Sequence, residues 1–264
     1  MFDTLEDAFE AERAVFIGYD PMEDAAAKML MQSIRSRTQD HGLIIVPIIR
    51  DELLVRDMLN RPLDPNGSTQ FSITRFMVPN LMCYKGIGIF LDCDMLITRD
   101  IEEMFALFDE TKAVQVVKHD YTPKTDSKMG GMVQTQYPRK NWSSAVIYNC
   151  GHPSNNALSQ YEVETATPQY LHRFEWLTDD EIGELPKEFN WLAGEQDWYD
   201  AGNYNFSHEL PFNIHHTLGN LLFCDNREFS YSKDEFSTYW ADEFQRTFLR
   251  PFDPNRDEIT LRRP

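Results

Sequence analysis

Between residues 14 and 119 short apolar runs alternate with stretches whose apolar residues recur at helical spacing, and this rhythm constrains the fold most. "AVFIGYD" (14–20) reads as a strand, and "PMEDAAAKMLMQSIRSR" carries Ala26, Met29, Leu30, Ser33 and Ile34 on one helix face. "GLIIVPII" (42–49) has the continuous apolarity of a strand covered on both faces. A short helix over "DELLVRDML" and a loop over "NRPLDPNGS" follow. "FSITRFMVPNLM" (71–82) reads as a helix bent near Pro79, "GIGIFLD" (86–92) as a third strand, "RDIEEMFALF" as a helix and "KAVQVVKH" (112–119) as a fourth strand. Such alternation predicts an α/β fold with a mostly parallel sheet between helices. Ligands in such sheets bind beyond the carboxyl ends of the strands, where Asp20, Asp92 and His119–Asp120 all fall.

From residue 121 the pattern loosens into "YTPKTDSKMGGMVQTQYPRKNWSS", a long polar loop of the kind that usually carries function. "SAVIYNC" (144–150) resumes as a strand, and "PFNIHHTLG" (211–219) reads as a late strand running into a turn. An acidic, aromatic stretch closes the chain, with "SKDE" (232–235) as a capping box for a last helix. The expected organisation is one domain over 1–225, its nucleotide-binding half at 14–120 and its acceptor and metal-completing half at 121–225. An extension over 226–264 is expected to pack on the same domain.

The 264 residues hold 25 Lys+Arg against 43 Asp+Glu, a formal net charge of -18. Such a surface repels phosphate backbones and anionic lipid, which argues against nucleic acid as a partner. No apolar run reaches membrane-spanning length, and "MFDTLEDAFEAER" lacks the apolar core of a signal peptide, so a cytoplasmic protein without an integral membrane segment is expected. The four scattered cysteines form no C-x-x-C pair and read as reduced thiols.

The apolar run "GIGIFLDCDML" ends in two acids, Asp92 and Asp94, one residue apart. Residues i and i+2 of a strand share a face, so both carboxylates can converge on one hard divalent cation such as Mn²⁺ or Mg²⁺. Alone, D-x-D is a weak signal. "DPME" reads as an N-cap Asp20, Pro at N1 and Glu23 at N3, and "TDDE" as a capping box of Thr178 and Glu181. Lys118, His119, Lys124, Arg139 and Lys140 make the middle loop the most basic part of an acidic chain.

The ordered set "AVFIGYDPMEDAAAKMLMQSI", "FSITRFMVPNLM", "KGIGIFLDCDMLITRDIEEMF", "NWSSAVIYNCGH", "LTDDEIGELPKEFNW" and "IHHTLG" resembles glycosyltransferase family 8 and its close relatives of the GT-A fold. The pattern is nearest to a bacterial and viral subgroup and spans residues 14–222. The resemblance implies a Rossmann-like central sheet, a smaller antiparallel part and a C-terminal helical tail. It implies that Asp92 and Asp94 bind Mn²⁺ (or Mg²⁺) bridging the diphosphate of a nucleotide sugar, with a late histidine completing the site: His215, or alternatively His216. Strand alternation lets only one of the two face the cleft.

It further implies that Arg75 reaches the sugar phosphate or donor sugar and that Tyr19 and Asp20 lie near the base and ribose. Asp180 faces the donor sugar, and Asn190 follows the Leu-Pro. Lys118 and the middle-loop cations suit closure over a diphosphate. Two departures stand out: the glutamine that neighbours the acid is missing at Asp180, and no basic residue follows the late Gly219. The implied function is metal-dependent, retaining transfer of a hexosyl group from a UDP-sugar to a hydroxyl of a glycan, lipid or protein acceptor. A nucleotide-sugar-binding protein without transfer is the alternative. A P-loop and an H-E-x-x-H motif are absent.

Overall fold

A computed structural model describes residues 3–64, 67, 69–119, 139–195, 198, 210–217, 224–225, 228–229 and 236–249. Helix α1 (Leu5–Glu10) opens behind a capping box between Thr4 and Asp7. It leads into β1 (Arg13–Gly18), whose Ala14, Val15, Phe16 and Ile17 are all buried. Neighbouring strand residues point to opposite faces, so burial of four in a row means that both faces are covered. Helix α2 (Asp24–Arg35) buries the stripe Ala26, Ala27, Met29, Leu30, Ser33 and Ile34, matching the predicted face.

Strand β2 (Ile44–Ile48), helix α3 (Arg50–Val55), helix α4 (Phe71–Thr74), helix α5 (Val78–Leu81) and strand β3 (Ile87–Leu91) follow. The helix expected over 71–82 is two short helices joined by a 3₁₀ turn at Arg75–Met77. Close packing sets their places. A β-carbon added to Gly18 would lie 2.5 Å from the Phe71 ring, and one on Gly88 would lie 2.4 Å from Val78 Cγ1.

Beyond β3 come β4 (Met95–Ile97), α6 (Glu102–Phe105), β5 (Val114–Val116), β6 (Ala145–Asn149), α7 (Gln160–Thr165) and α8 (Pro168–His172). The chain continues through β7 (Ile182–Glu184), β8 (Trp191–Leu192), β9 (Asn213–His215), β10 (Cys224–Asp225), β11 (Glu228–Phe229) and α9 (Ser237–Phe244). The helix expected after the acid pair is a single turn, α6, and the apolar residues between them form β4 as a separate strand.

Six strands form the central sheet in the order β2-β1-β3-β6-β5-β7. Every strand but β6 runs the same way. The predicted mostly parallel α/β sheet is present, with one reversal. Strand β2 is an edge strand, where Pro47 removes no ladder donor that the sheet needs. A second sheet, β4-β9-β8, pairs β4 antiparallel with β9 and β8 parallel with it; β10 and β11 form an antiparallel hairpin.

The main core spans the central sheet and its helices. A second cluster joins Ala26, Met29, Leu96, Trp191, Trp198, Ile214, Phe236 and Trp240, so α9 packs on α2 and the small sheet. A buried ion pair between Arg37 and Glu243 at 2.8 Å fastens α9 to the end of α2. The "SKDE" capping box lies outside the described residues.

Candidate functional site

Strand β3 ends at Leu91, and the next three residues cross from the central sheet to the small one. Asp92 N–H donates to Ser144 O at 2.9 Å, and Asp94 O accepts from His216 N–H at 2.9 Å. Met95 then pairs with His215 in the second sheet. The two carboxylates therefore converge through a turn strung between β6 and β9, not through the pleat of one strand. One ligand atom each from Asp92, Asp94 and His215 lies within 4.8 Å of the others.

The two histidines go separate ways. His215 Nε2 is 3.2 Å from Asp94 Oδ1. Its Nδ1 lies 2.9 Å from Asn190 Oδ1, while Asn190 Nδ2 donates to Ser144 Oγ at 2.8 Å and Asn141 O at 3.3 Å. With the Asn190 amide nitrogen occupied by two acceptors, its oxygen takes the His215 Nδ1–H. This turns Nε2, the nitrogen that can ligate a cation, toward the acids. His216 turns to the other face, its ring edge-on to Trp240 at 4.7 Å. Two carboxylates and an imidazole of fixed tautomer are a donor set that fits Mn²⁺ or Mg²⁺.

Arg75 stands behind Asp92. Its Nη1 is 2.9 Å from Asp92 Oδ1 and donates to Ser143 O at 2.8 Å, and its Nε donates to Phe71 O at 3.3 Å. The Phe71 and Phe90 rings flank the guanidinium at 5.4 and 5.0 Å. The side chain is buried, so the arginine expected to reach the donor is already bound to the first acid and to the start of β6.

At the end of β1, Asp20 accepts from Met22 N–H and from Gln70 N–H, both at 2.9 Å. Its N-cap role is as predicted, but Glu23 does not close a capping box. Glu23 instead accepts the buried Cys93 thiol at 2.8 Å, inside the acid pair. Burial first, then the charges of Asp94, Asp20 and Asp92, push its carboxyl up to about 8 against the opposing pull of the Cys93 hydrogen bond. Tyr19 O–H donates to Asp24 Oδ1 at 3.0 Å.

On the far side of β3, Lys118 Nζ and the Arg139 guanidinium lie 5.8 and 5.6 Å from the Trp142 ring centre. Arg139 is also paired with Asp179, and Lys140 is buried. Asp120, Lys124 and Gly219 lie outside the described residues. Asp180 is not brought to this cluster. Strand β7 runs parallel to β5, and Asp180 precedes β7 beside Lys112, whose Nζ donates to Asp180 O at 2.8 Å. That is the end where β5 and β7 begin, whereas Lys118 and Asn190 follow their carboxyl ends. The predicted capping box of Thr178 and Glu181 is formed and accounts for the acids in that turn.

A protein of Arabidopsis thaliana called Protein CDI is 41% identical over 231 residues, covering 88% of this chain and 85% of that protein. The chain belongs to the CDI family. No family model matches it. Among solved structures, this CDI-family fold is similar to the glycosyltransferase GlyE of Streptococcus pneumoniae TIGR4, with a TM-score of 0.52 at 16% identity. That match covers 92% of this chain and 61% of GlyE, so the chain spans less than two thirds of that relative. The galactosyltransferase LgtC gives a TM-score of 0.52 at 12% identity, covering 90% of this chain and 97% of LgtC. The bifunctional glycosyltransferase WbbM gives 0.51 at 16%, covering 89% and 50%. The CDI-family chain thus has the fold of GT-A glycosyltransferases.

Sequence reasoning missed how Glu23, Cys93, Ser143 and Ser144 serve the site in this CDI-family chain. Glu23 carried a signal, an acid in a helix start facing an acid-rich strand end, but the capping pattern explained it away. The two serines carried none, because their roles lie in where β6 begins.

Proposed function

We propose that the chain is a metal-dependent glycosyltransferase of family 8 type, moving a sugar from a UDP-linked donor to an acceptor hydroxyl with retention of configuration. The observation that carries this reading is the convergence of Asp92, Asp94 and His215 at the carboxyl edge of a GT-A-like sheet. LgtC, of similar fold, is described in complex with donor and acceptor sugar analogues. Asp92, Asp94 and His215 would hold Mn²⁺ or Mg²⁺, which when bound supplies Lewis-acid stabilisation to a departing diphosphate.

The chain's own residues do the rest. Asn190 keeps the His215 lone pair aimed at the acids, and Arg75 fixes Asp92 without leaving its buried place. The end of β1, with Tyr19 and Asp20, receives the nucleoside. Lys118 lies toward the diphosphate and sugar, and Asp180 has no part in this arrangement. Residues 14–120 then form the donor half, 121–225 the acceptor half, and 226–264 an extension packed on the same domain.

UDP and Mn²⁺ together should raise the melting temperature more than the sum of either alone, by several degrees at saturating ligand, corresponding to about 2–4 kcal/mol. Asp94→Asn and Asp92→Asn should abolish that synergy. Additive shifts in the wild type would refute the metal-bridged donor. Slow Mn²⁺-dependent hydrolysis of one UDP-sugar in a panel separates a transferase from a binder that no longer transfers.

A further inference from the structure

His119 stands two residues beyond the buried Val117, at the carboxyl end of β5. Its backbone is pinned on both sides: His119 N–H donates to Val117 O at 3.0 Å, and its carbonyl accepts from Trp142 Nε1 at 3.2 Å. The ring is held where its Nε2 is buried and has no hydrogen-bond partner among the described residues. Leaving such an atom unpaired costs about 1–3 kcal/mol, which a hydrogen bond from a ligand would recover.

Strand order says which part of a ligand lies nearby. The sheet runs β1-β3-β6-β5, so His119 and the nucleoside end of β1 lie on opposite sides of the Asp92 turn. A nucleotide sugar with its nucleoside at β1 and its diphosphate at Asp92 must extend its sugar across β6 toward β5. We propose that His119 Nε2 hydrogen-bonds a hydroxyl of the donor's sugar and so helps select it. The inference rests on the glycosyltransferase reading and deepens it.

The chemistry favours a hydroxyl over a phosphate. Burial, then the nearby His215 and Lys187, push the His119 imidazole down to about 3, so it is neutral at working pH. A neutral ring offers one donor and one acceptor, which matches a hydroxyl and brings no positive charge to a diphosphate.

The test is calorimetric titration of the full chain, with Mn²⁺ present, by UDP and by UDP-glucose, UDP-galactose, UDP-xylose and UDP-N-acetylglucosamine. In His119→Ala, UDP should bind within about twofold of wild type, which also reports an intact fold. The preferred UDP-sugar should weaken about tenfold, the worth of one buried hydrogen bond. His119→Gln, whose amide reaches the position of Nε2, should recover most of that loss. A deoxy-sugar donor lacking the contacted hydroxyl should bind wild type and His119→Ala equally. Equal weakening of UDP and UDP-sugar would overturn the inference by placing His119 on the diphosphate. Unchanged UDP-sugar affinity would overturn it too, including the case where only transfer to an acceptor slows. Absence of Mn²⁺-dependent UDP binding in the wild type would instead bring down the glycosyltransferase reading and this inference with it.

Discussion

Asn190 makes no claim on the acid pair itself, yet both ends of its amide are committed to shaping it, one toward His215 and one toward Ser144 and Asn141. Asn190→Ala should weaken Mn²⁺ binding about 10- to 100-fold, the usual loss when a metal-bound imidazole loses its orienting partner, read by electron paramagnetic resonance of free Mn²⁺. His216→Phe keeps a ring against Trp240 and should leave that affinity unchanged. A buried imidazole elsewhere gives a pH signature. His172, hydrogen-bonded through Nδ1 to Ser143 Oγ at 2.8 Å, is pushed down to about 3 by burial, then by Arg75 and Arg61. Its unfolded counterpart takes a proton below about 6.5, so this group's contribution to stability is full above that pH and is lost as pH falls toward 3. His172→Phe should lack that part of the acid slope in melting temperature. At this scale much of the site was legible, because Asp92, Asp94 and the histidine pair interrupt apolar runs that would otherwise continue. The choice of His215 over His216 rested on its spacing to Gly219, without sight of Trp240, against which His216 packs, and Glu23 was misread because its partner Cys93 lies 70 residues away.

Helices α4 and α5 exist to deliver Arg75. The chain tightens into a 3₁₀ turn at Arg75–Met77, and the guanidinium emerges between two phenylalanine rings to meet Asp92. Arg75→Met should destabilise the fold by about 3–5 kcal/mol, because it leaves a partly buried carboxylate without its cation, as measured by urea titration. Gly18→Ala should act on the same element from the other side. The new methyl meets the Phe71 ring, so about 1–3 kcal/mol of overpacking is expected together with weaker Mn²⁺ binding as α4 shifts. Most strands and helices between residues 14 and 119 were readable from periodicity, though not β4. The reversal of β6 was not, because an apolar run looks the same in either direction. Periodicity alone missed the three-residue strand β4 for another reason: it continues an apolar stretch whose break, the acid pair, looked like an ending.

Among the described residues the Asp92–Cys93–Asp94 turn is a covalent seam between the central sheet and the small one. An ion held by Asp92 from one side and by Asp94 and His215 from the other would tie the sheets together. Mn²⁺ with UDP should therefore slow amide hydrogen exchange on both sides of the seam, at Ala145–Asn149 and at Asn213–His215, and leave α3 and α7 unchanged. The reversed strand has one more consequence. Strand β5 leaves the sheet, and β6 returns to it, at the same edge that carries the acid pair. The described ends of the intervening sequence, at His119 and at Arg139, therefore both belong to the edge that carries the acid pair. What lies between these ends can change without moving the strand pairing that holds the six-stranded scaffold in register.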